Sequence, residues 1–202
     1  MDRAALSEPR GTQGSAIGND GMEYATFSKR LGALVVDSLL LSPLTVATIW
    51  SGGVSKCVAI AVMPICSALG IGYHVYLHGR FGQTVGKRLS HIRVVRTDAS
   101  RISWREAWLR SAVDVVLAVV IISGGITVML GLPEAHFAQS WTMRSTEYVY
   151  SQPEWLQWAS RASPAWIWSE VVVMLFNRKR RAIHDFIAGT VVVLDSVSPF
   201  NK

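Results

Sequence analysis

Apolar residues in this chain collect into four long runs, at roughly 31–50, 57–77, 111–132 and 164–180, and polar positions are gathered between the runs instead of alternating within them. A hydrocarbon core of about 30 Å needs about 20 apolar residues in a helix, so each run predicts a spanning helix, the last of them short. Ser51-Gly-Gly-Val-Ser-Lys56 reads as a tight turn that folds the first two runs into an antiparallel hairpin. Pro64, Gly70 and Gly72 in the second run predict a closely packed neighbouring helix. Past His78 the pattern changes. Ile92-Arg-Val-Val-Arg alternates like a short strand, Thr97-Asp-Ala-Ser signals a turn, and Ser103 is placed to cap an amphipathic helix that runs through Trp104, Ala107 and Trp108 into Arg110 and the third run. Thr190–Leu194 is rich in β-branched residues, and propensity makes it a partner for Ile92–Val95 in a small sheet.

The fold expected is therefore all-α integral membrane: a four-helix transmembrane bundle with a small cytoplasmic β/amphipathic segment, in one domain over 23–195. Residues 1–22, rich in Gly, Ser and Ala, predict a disordered N-terminus, and 196–202 a tail. Residues 133–163 form a loop holding Trp141, Tyr148, Tyr150, Trp155 and Trp158, expected to lie partly at headgroup level. Ser163-Pro164 supplies a start signal for the fourth helix.

Composition agrees with the membrane class. Of 202 residues half are apolar and 17% are charged, against about a quarter charged in soluble domains. The net charge of +6 is explained by its placement. Eight basic residues lie in 78–110, and Arg178-Lys-Arg-Arg181 follows the fourth run. The positive-inside rule puts both clusters and both termini in the cytoplasm, against anionic headgroups, and puts 51–56 and 133–163 outside. No aromatic-interleaved stripe accompanies the charge, so no nucleic-acid role is expected. No secretory signal is legible in 1–29. Cys57 and Cys66, nine positions apart on one helix, are roughly 13 Å apart at the helical rise, too far for a disulfide, and read as small buried residues.

The candidate chemistry lies in ionisable residues within or beside the runs. Asp37, in the first run, buries a carboxylate at a cost of a few kcal/mol or more, which predicts a partner, a polar cavity or a task. Its plainer reading is a hydrogen bond that packs two helices. Arg30, seven residues earlier, shares that helix stripe at a Cα separation of roughly 10 Å, which makes a direct bond to Asp37 doubtful and an anchor at the headgroup boundary the simpler role. Arg110 and Asp114, spaced i, i+4, predict an intrahelical ion pair or, alternatively, an Asp114 that shares one polar cavity with Asp37. Glu170 and His74 complete the set, and carboxylates with an imidazole suit proton or cation movement. His184 and Asp185 fail as a catalytic pair because adjacent residues point apart and no nucleophile is indicated. Gly86-Lys87 fails as a phosphate loop, since Phe81 and Arg88 occupy the positions that need Gly and Ser/Thr. Gly82 and Gly86 are read instead as backbone turns or close-packing sites. No zinc, haem, dinucleotide or hydrolase signature is present, so no cofactor, metal or enzymatic activity is expected.

Three blocks in this order, Phe27-Ser-Lys-Arg-Leu-Gly-Ala-Leu-Val-Val-Asp37, Gly82-Gln83-Thr84-Val85-Gly86-Lys87-Arg88-Leu89 followed by Ile92-Arg-Val-Val95, and His184-Asp185-Phe-Ile-Ala-Gly189-Thr190, resemble the RDD family of small membrane proteins, named for one arginine and two aspartates. The resemblance implies that Arg30 is the arginine, Asp37 the first aspartate and Asp185 the second, with Asp114 a secondary candidate. It also implies a multi-pass protein of a bacterial inner membrane that transports a small ion or solute, in the manner of cation/proton antiport. The alternative is a non-transport accessory, anchoring or assembly subunit. The fourth run and the Trp-rich loop extend beyond the two-helix core by which the family is usually recognised. Four helices enclose little volume, so a homo-oligomer or a membrane partner subunit is expected. Asp185 and His184 are expected to tie the C-terminal segment to the helix ends, at Arg30 or at the Gly82–Lys87 loop.

Overall fold

The computed structural model describes residues 16–17, 22–177 and 179–195. In chain order these form β1 (Ala16–Ile17), β2 (Glu23–Tyr24), α1 (Phe27–Ser51), α2 (Lys56–Phe81), α3 (Val85–Leu89), β3 (Ile92–Arg96), α4 (Trp104–Gly131), α5 (Glu134–Phe137), α6 (Trp141–Tyr150), α7 (Glu154–Phe176), α8 (Ile183–Ile187) and β4 (Thr190–Leu194). Of the N-terminal segment expected to lack structure, Ala16–Ile17 pairs with Glu23–Tyr24. The rest of 1–21 and the tail at 196–202 lie outside the described residues.

Among the described residues, α1, α2 and α4 are long and apolar enough to cross a membrane. Their side chains are sorted accordingly. Leu39, Val46 and Val116 are each more than 60% exposed, while Asp37 and Arg110 are each 5% exposed. Large apolar groups outside and charged groups inside is the distribution that lipid as solvent selects. Thr26 and Ser55 cap α1 and α2 through their hydroxyls, and Ser103 caps α4 in a full capping box with Glu106. The hairpin turn at 51–56 forms as the Gly-Gly step predicts. Gly70 and Gly72 do not serve close packing, because a Cβ on either would meet nothing within 4 Å. Close approach belongs instead to Gly79, against the Trp104 ring, and to Gly124, against Trp155 and Leu156.

The loop at 133–163 is built, and its far part belongs to α7. That helix starts at Glu154, not at the Ser163-Pro164 signal, and carries Pro164 inside it. An internal proline costs one backbone hydrogen bond, which a helix packed along its neighbour tolerates. Here Leu156 sits in a cluster with Ala59, Val128, Leu132 and Phe137 that closes the turn end of the bundle. From there α7 runs back beside α4 toward the other end. It falls outside the set of helices apolar enough to span. Trp141, Tyr150 and Trp158 remain exposed.

The opposite end carries an antiparallel sheet of order β1-β2-β4-β3. β3 and β4 pair from Ile92↔Leu194 to Arg96↔Thr190, as the β-branched run predicts. Both faces are covered. Ile92, Val94 and Val192 pack on Ala25, Ala33 and Ile102, and Val95, Val191 and Val193 pack on Tyr24. The C-terminal strand is thus the centre of the sheet that knits this end of the helices together. Cys57 is exposed and Cys66 partly so, both free, which corrects the expectation that both are buried: Cys57 opens α2 on its outer face.

Candidate functional site: two buried carboxylates at the sheet end

Asp37 points from the third turn of α1 into the segment that follows α2. Its Oδ1 accepts from the Tyr73 hydroxyl at 2.7 Å and from the Gly86 amide at 2.8 Å, and its Oδ2 accepts from the Thr84 hydroxyl at 2.6 Å. The directions are determined. Tyr73 Oη already accepts the Val85 amide at 3.0 Å and Thr84 Oγ1 the Lys87 amide at 3.3 Å, so both hydroxyl hydrogens go to the carboxylate. An ionised carboxylate, acceptor only, matches that set of donors. Gly86 makes the approach possible, since a Cβ there would lie 2.1 Å from the Ala33 carbonyl oxygen. Gly82, at φ +70°, ends α2 in the left-handed conformation and receives the Val94 amide on its own carbonyl. Gln83 donates to the Ile92 carbonyl and ties the same loop to β3.

Asp185 is the second centre, fully buried in α8. Arg30 Nη1 donates to Oδ2 at 2.9 Å, Arg110 Nη1 donates to Oδ1, the Ala182 amide donates at 3.0 Å and Thr190 Oγ1 lies at 3.3 Å. Burial alone would raise its pKa, but Arg110, His184 and Arg30 outweigh it and hold the carboxyl well below the usual carboxylate range. Gly189, at φ +66°, makes the turn from α8 into β4 that delivers Thr190 to Arg110 at 2.6 Å. His184 gives Nδ1 to Glu170 of α7 and sets Nε2 3.6 Å from Asp185 Oδ1. Adjacent as they are, His184 and Asp185 do not point apart.

Between the two centres lies a third pair. Lys87 Nζ is 2.6 Å from His78 Nε2, and His78 Nδ1 is 2.8 Å from the His74 carbonyl. A carbonyl only accepts, so Nδ1 carries hydrogen and Nε2 faces Lys87 with its lone pair. Burial, and after it the charge of Arg110, bring the Lys87 ammonium down to about 7. His74 stacks on His78 with ring centroids 6.2 Å apart.

A model of the RDD family matches residues 24–189. The chain belongs to the RDD family. It is a multi-pass membrane protein of that family, mostly helical, with several apolar helices. Comparison with curated proteins and with solved structures returned no match.

Arg30 and Asp37 have different partners, in line with the spacing that made a direct bond between them doubtful, but the roles read for Arg30, Arg110 and Asp114 differ. Arg30 is no headgroup anchor. It turns inward, away from Asp37, to Asp185 at 155 positions' distance in the chain. Arg110 does not close on Asp114 but leans toward the N-terminal end of α4, where Asp185 and Thr190 sit. Asp114 and Asp37 share no cavity: Asp114 is exposed and interacts with Glu170, His184 and Trp166 of the α7–α8 side. Because α7 begins early, Glu170 lies near its sheet end, within reach of His184. Tyr73 and His78 were missed as site residues. The signal available was two hydrogen-bonding aromatic side chains in the last turns of an otherwise apolar run.

Proposed function

We propose that this RDD protein exchanges a small cation for a proton, with Lys87–His78 as the proton-holding group and Asp37 and Asp185 as the fixed negative charges around it. The carrying observation is the Lys87–His78 contact. One basic nitrogen faces another at 2.6 Å in a buried position, and the ammonium titrates at about 7, so the pair holds one exchangeable charge near neutral pH. Arg30 and Arg110 are both engaged by Asp185, so losing that charge leaves Asp37, held by neutral donors, without a compensating cation of its own, which a small cation restores. Coupling between cation and proton then follows from charge balance alone. Asp37 is in this reading the cation-binding carboxylate.

In this reading α7 is the fourth crossing helix, the arginine-rich sheet end and both termini face the cytoplasm of a bacterial inner membrane, and a second copy or a partner subunit completes the pathway that so few helices leave open. The test is cation-dependent proton flux in vesicles. The parent protein collapses a pH gradient on addition of sodium or potassium, Lys87→Met abolishes that response while folding normally, and Asp114→Asn retains it. A parent with no flux sinks the proposal.

The accessory reading keeps one specific support, the saturation of Asp37 and Asp185 by donors, as expected of locks that fix helix packing. Copurification of a stoichiometric membrane partner, together with absence of flux, favours it.

A further inference from the structure

The basic residues of 78–110 are not one uniform surface. Arg110 is committed to Asp185 and Thr190, Arg96 to Glu106, and Lys87 to His78. Four others, Arg80, Arg88, Arg93 and Arg101, line a single cavity of about 570 Å³ at the end of α2, with Asp195 as the one carboxylate in its wall among the described residues. Arg93 Nε lies 2.9 Å from Asp195 Oδ1, but the two do not align as a hydrogen bond. Arg80 and Arg88 form no ion pair with any described residue. Four arginines in the wall of one cavity repel one another, and Arg80 and Arg88 bring to it two exposed positive charges with no carboxylate beside them among the described residues.

We infer that this cavity is a binding site for a phosphate ester. Guanidinium forks match phosphate oxygens in pairs, and several arginines around one hollow supply more donors than a lone chloride or carboxylate uses. The rest of the wall names the other half of the ligand. Leu77, Phe81, Val95 and Ile102 give it an apolar side, and Phe81 is 54% exposed beside it, so the ester carries an organic or acyl portion against these residues. The site sits at the last turn of a membrane-length helix, the depth at which lipid phosphates lie. Gly82 permits the geometry. Its φ of +70° turns the chain back over β3, and a Cβ there would come 3.0 Å from the Val94 carbonyl oxygen. The inference is independent of cation exchange, since the side chains of Arg80, Arg88 and Arg93 form no hydrogen bond or ion pair with Asp37, Lys87 or Asp185.

The test is native mass spectrometry of the full chain in detergent, titrated separately with dioleoyl phosphatidylglycerol, dioleoyl phosphatidylcholine and glycerol 3-phosphate. The parent retains phosphatidylglycerol at least tenfold more tightly than phosphatidylcholine. The double variant Arg80→Gln/Arg88→Gln, at two exposed positions, loses that preference tenfold or more with unchanged melting temperature, and Arg105→Gln, outside the cavity, keeps it. Competition by glycerol 3-phosphate at comparable concentration assigns the site to soluble phosphate esters, and its failure to compete assigns it to lipid. Equal retention of the two lipids without glycerol 3-phosphate binding, or a double variant that binds like the parent, overturns the inference.

Discussion

At the scale of single residues, the site rests on saturation: each buried carboxylate meets several donors, and each donor has a determined direction. Asp185→Asn removes the charge that two buried arginines share, which costs roughly 3–5 kcal/mol when one partner of such a set is lost. Chemical denaturation in detergent measures it, and a variant within 1 kcal/mol of the parent contradicts the arrangement. Glycines divide into two kinds. Gly86→Ala drives a Cβ into the Ala33 carbonyl and costs about 1–3 kcal/mol or more by overpacking, whereas Gly70→Ala has open space and gains about 0.5–1 kcal/mol in helix propensity. Melting temperatures in opposite directions for the two variants are the expected outcome. Lys87 gives a pH signature. Its folded pKa near 7 lies below the ordinary 10.5, so the unfolded chain binds more protons between those values and stability rises with pH across that window. The penalty is complete below pH 7 and absent above 10.5. Relative to Lys87→Met, the parent therefore gains stability as pH is raised from 7 to 10, and a difference that stays flat refutes the burial of this ammonium.

At the scale of elements, α3 is a five-residue clip that a chain so short cannot hold by propensity. Thr84 holds it twice, accepting the Lys87 amide and donating to Asp37. Thr84→Val keeps the shape and removes both bonds, at about 1–2 kcal/mol. Faster hydrogen exchange confined to the amides of 85–89 is expected, and a uniform rise across the bundle would contradict a local clip. Local signals made several elements legible in the sequence: the alternation of Ile92–Arg96, the β-branched run of Thr190–Leu194, and Ser103 with Glu106. The start of α7 was not legible, because Ser163-Pro164 reads the same whether proline opens a helix or lies inside one. The partners of Asp37 were not legible either. Thr84 and Gly86 stand 47 and 49 positions away, and only the packing of α3 across α1 reveals why glycine is required there.

At the scale of the whole molecule, charge and polarity divide the bundle into a sheet end and a turn end. On the proposed orientation, which puts the sheet end in the cytoplasm, Cys57, exposed at the opening of α2, is expected to face outward across the membrane. A membrane-impermeant maleimide labels it in intact cells, and Cys57→Ser abolishes the labelling. Labelling seen only after lysis reverses the orientation. The pairing of Arg30 with Asp185 was anticipated only through family resemblance, since periodicity relates neighbours and says nothing of residues 155 positions apart. That separation bears on biogenesis. At 5–20 residues per second, the first helix, which ends at Ser51, is complete roughly 7–27 s before the aspartate that neutralises its arginine is synthesised. Until then the nascent protein carries an uncompensated cation at its entry helix and lacks the central strand of its sheet. A chain cut short before Asp185 by premature termination or proteolysis therefore leaves the Arg30 guanidinium without its carboxylate and β3 without its partner strand, two defects that one late segment repairs together.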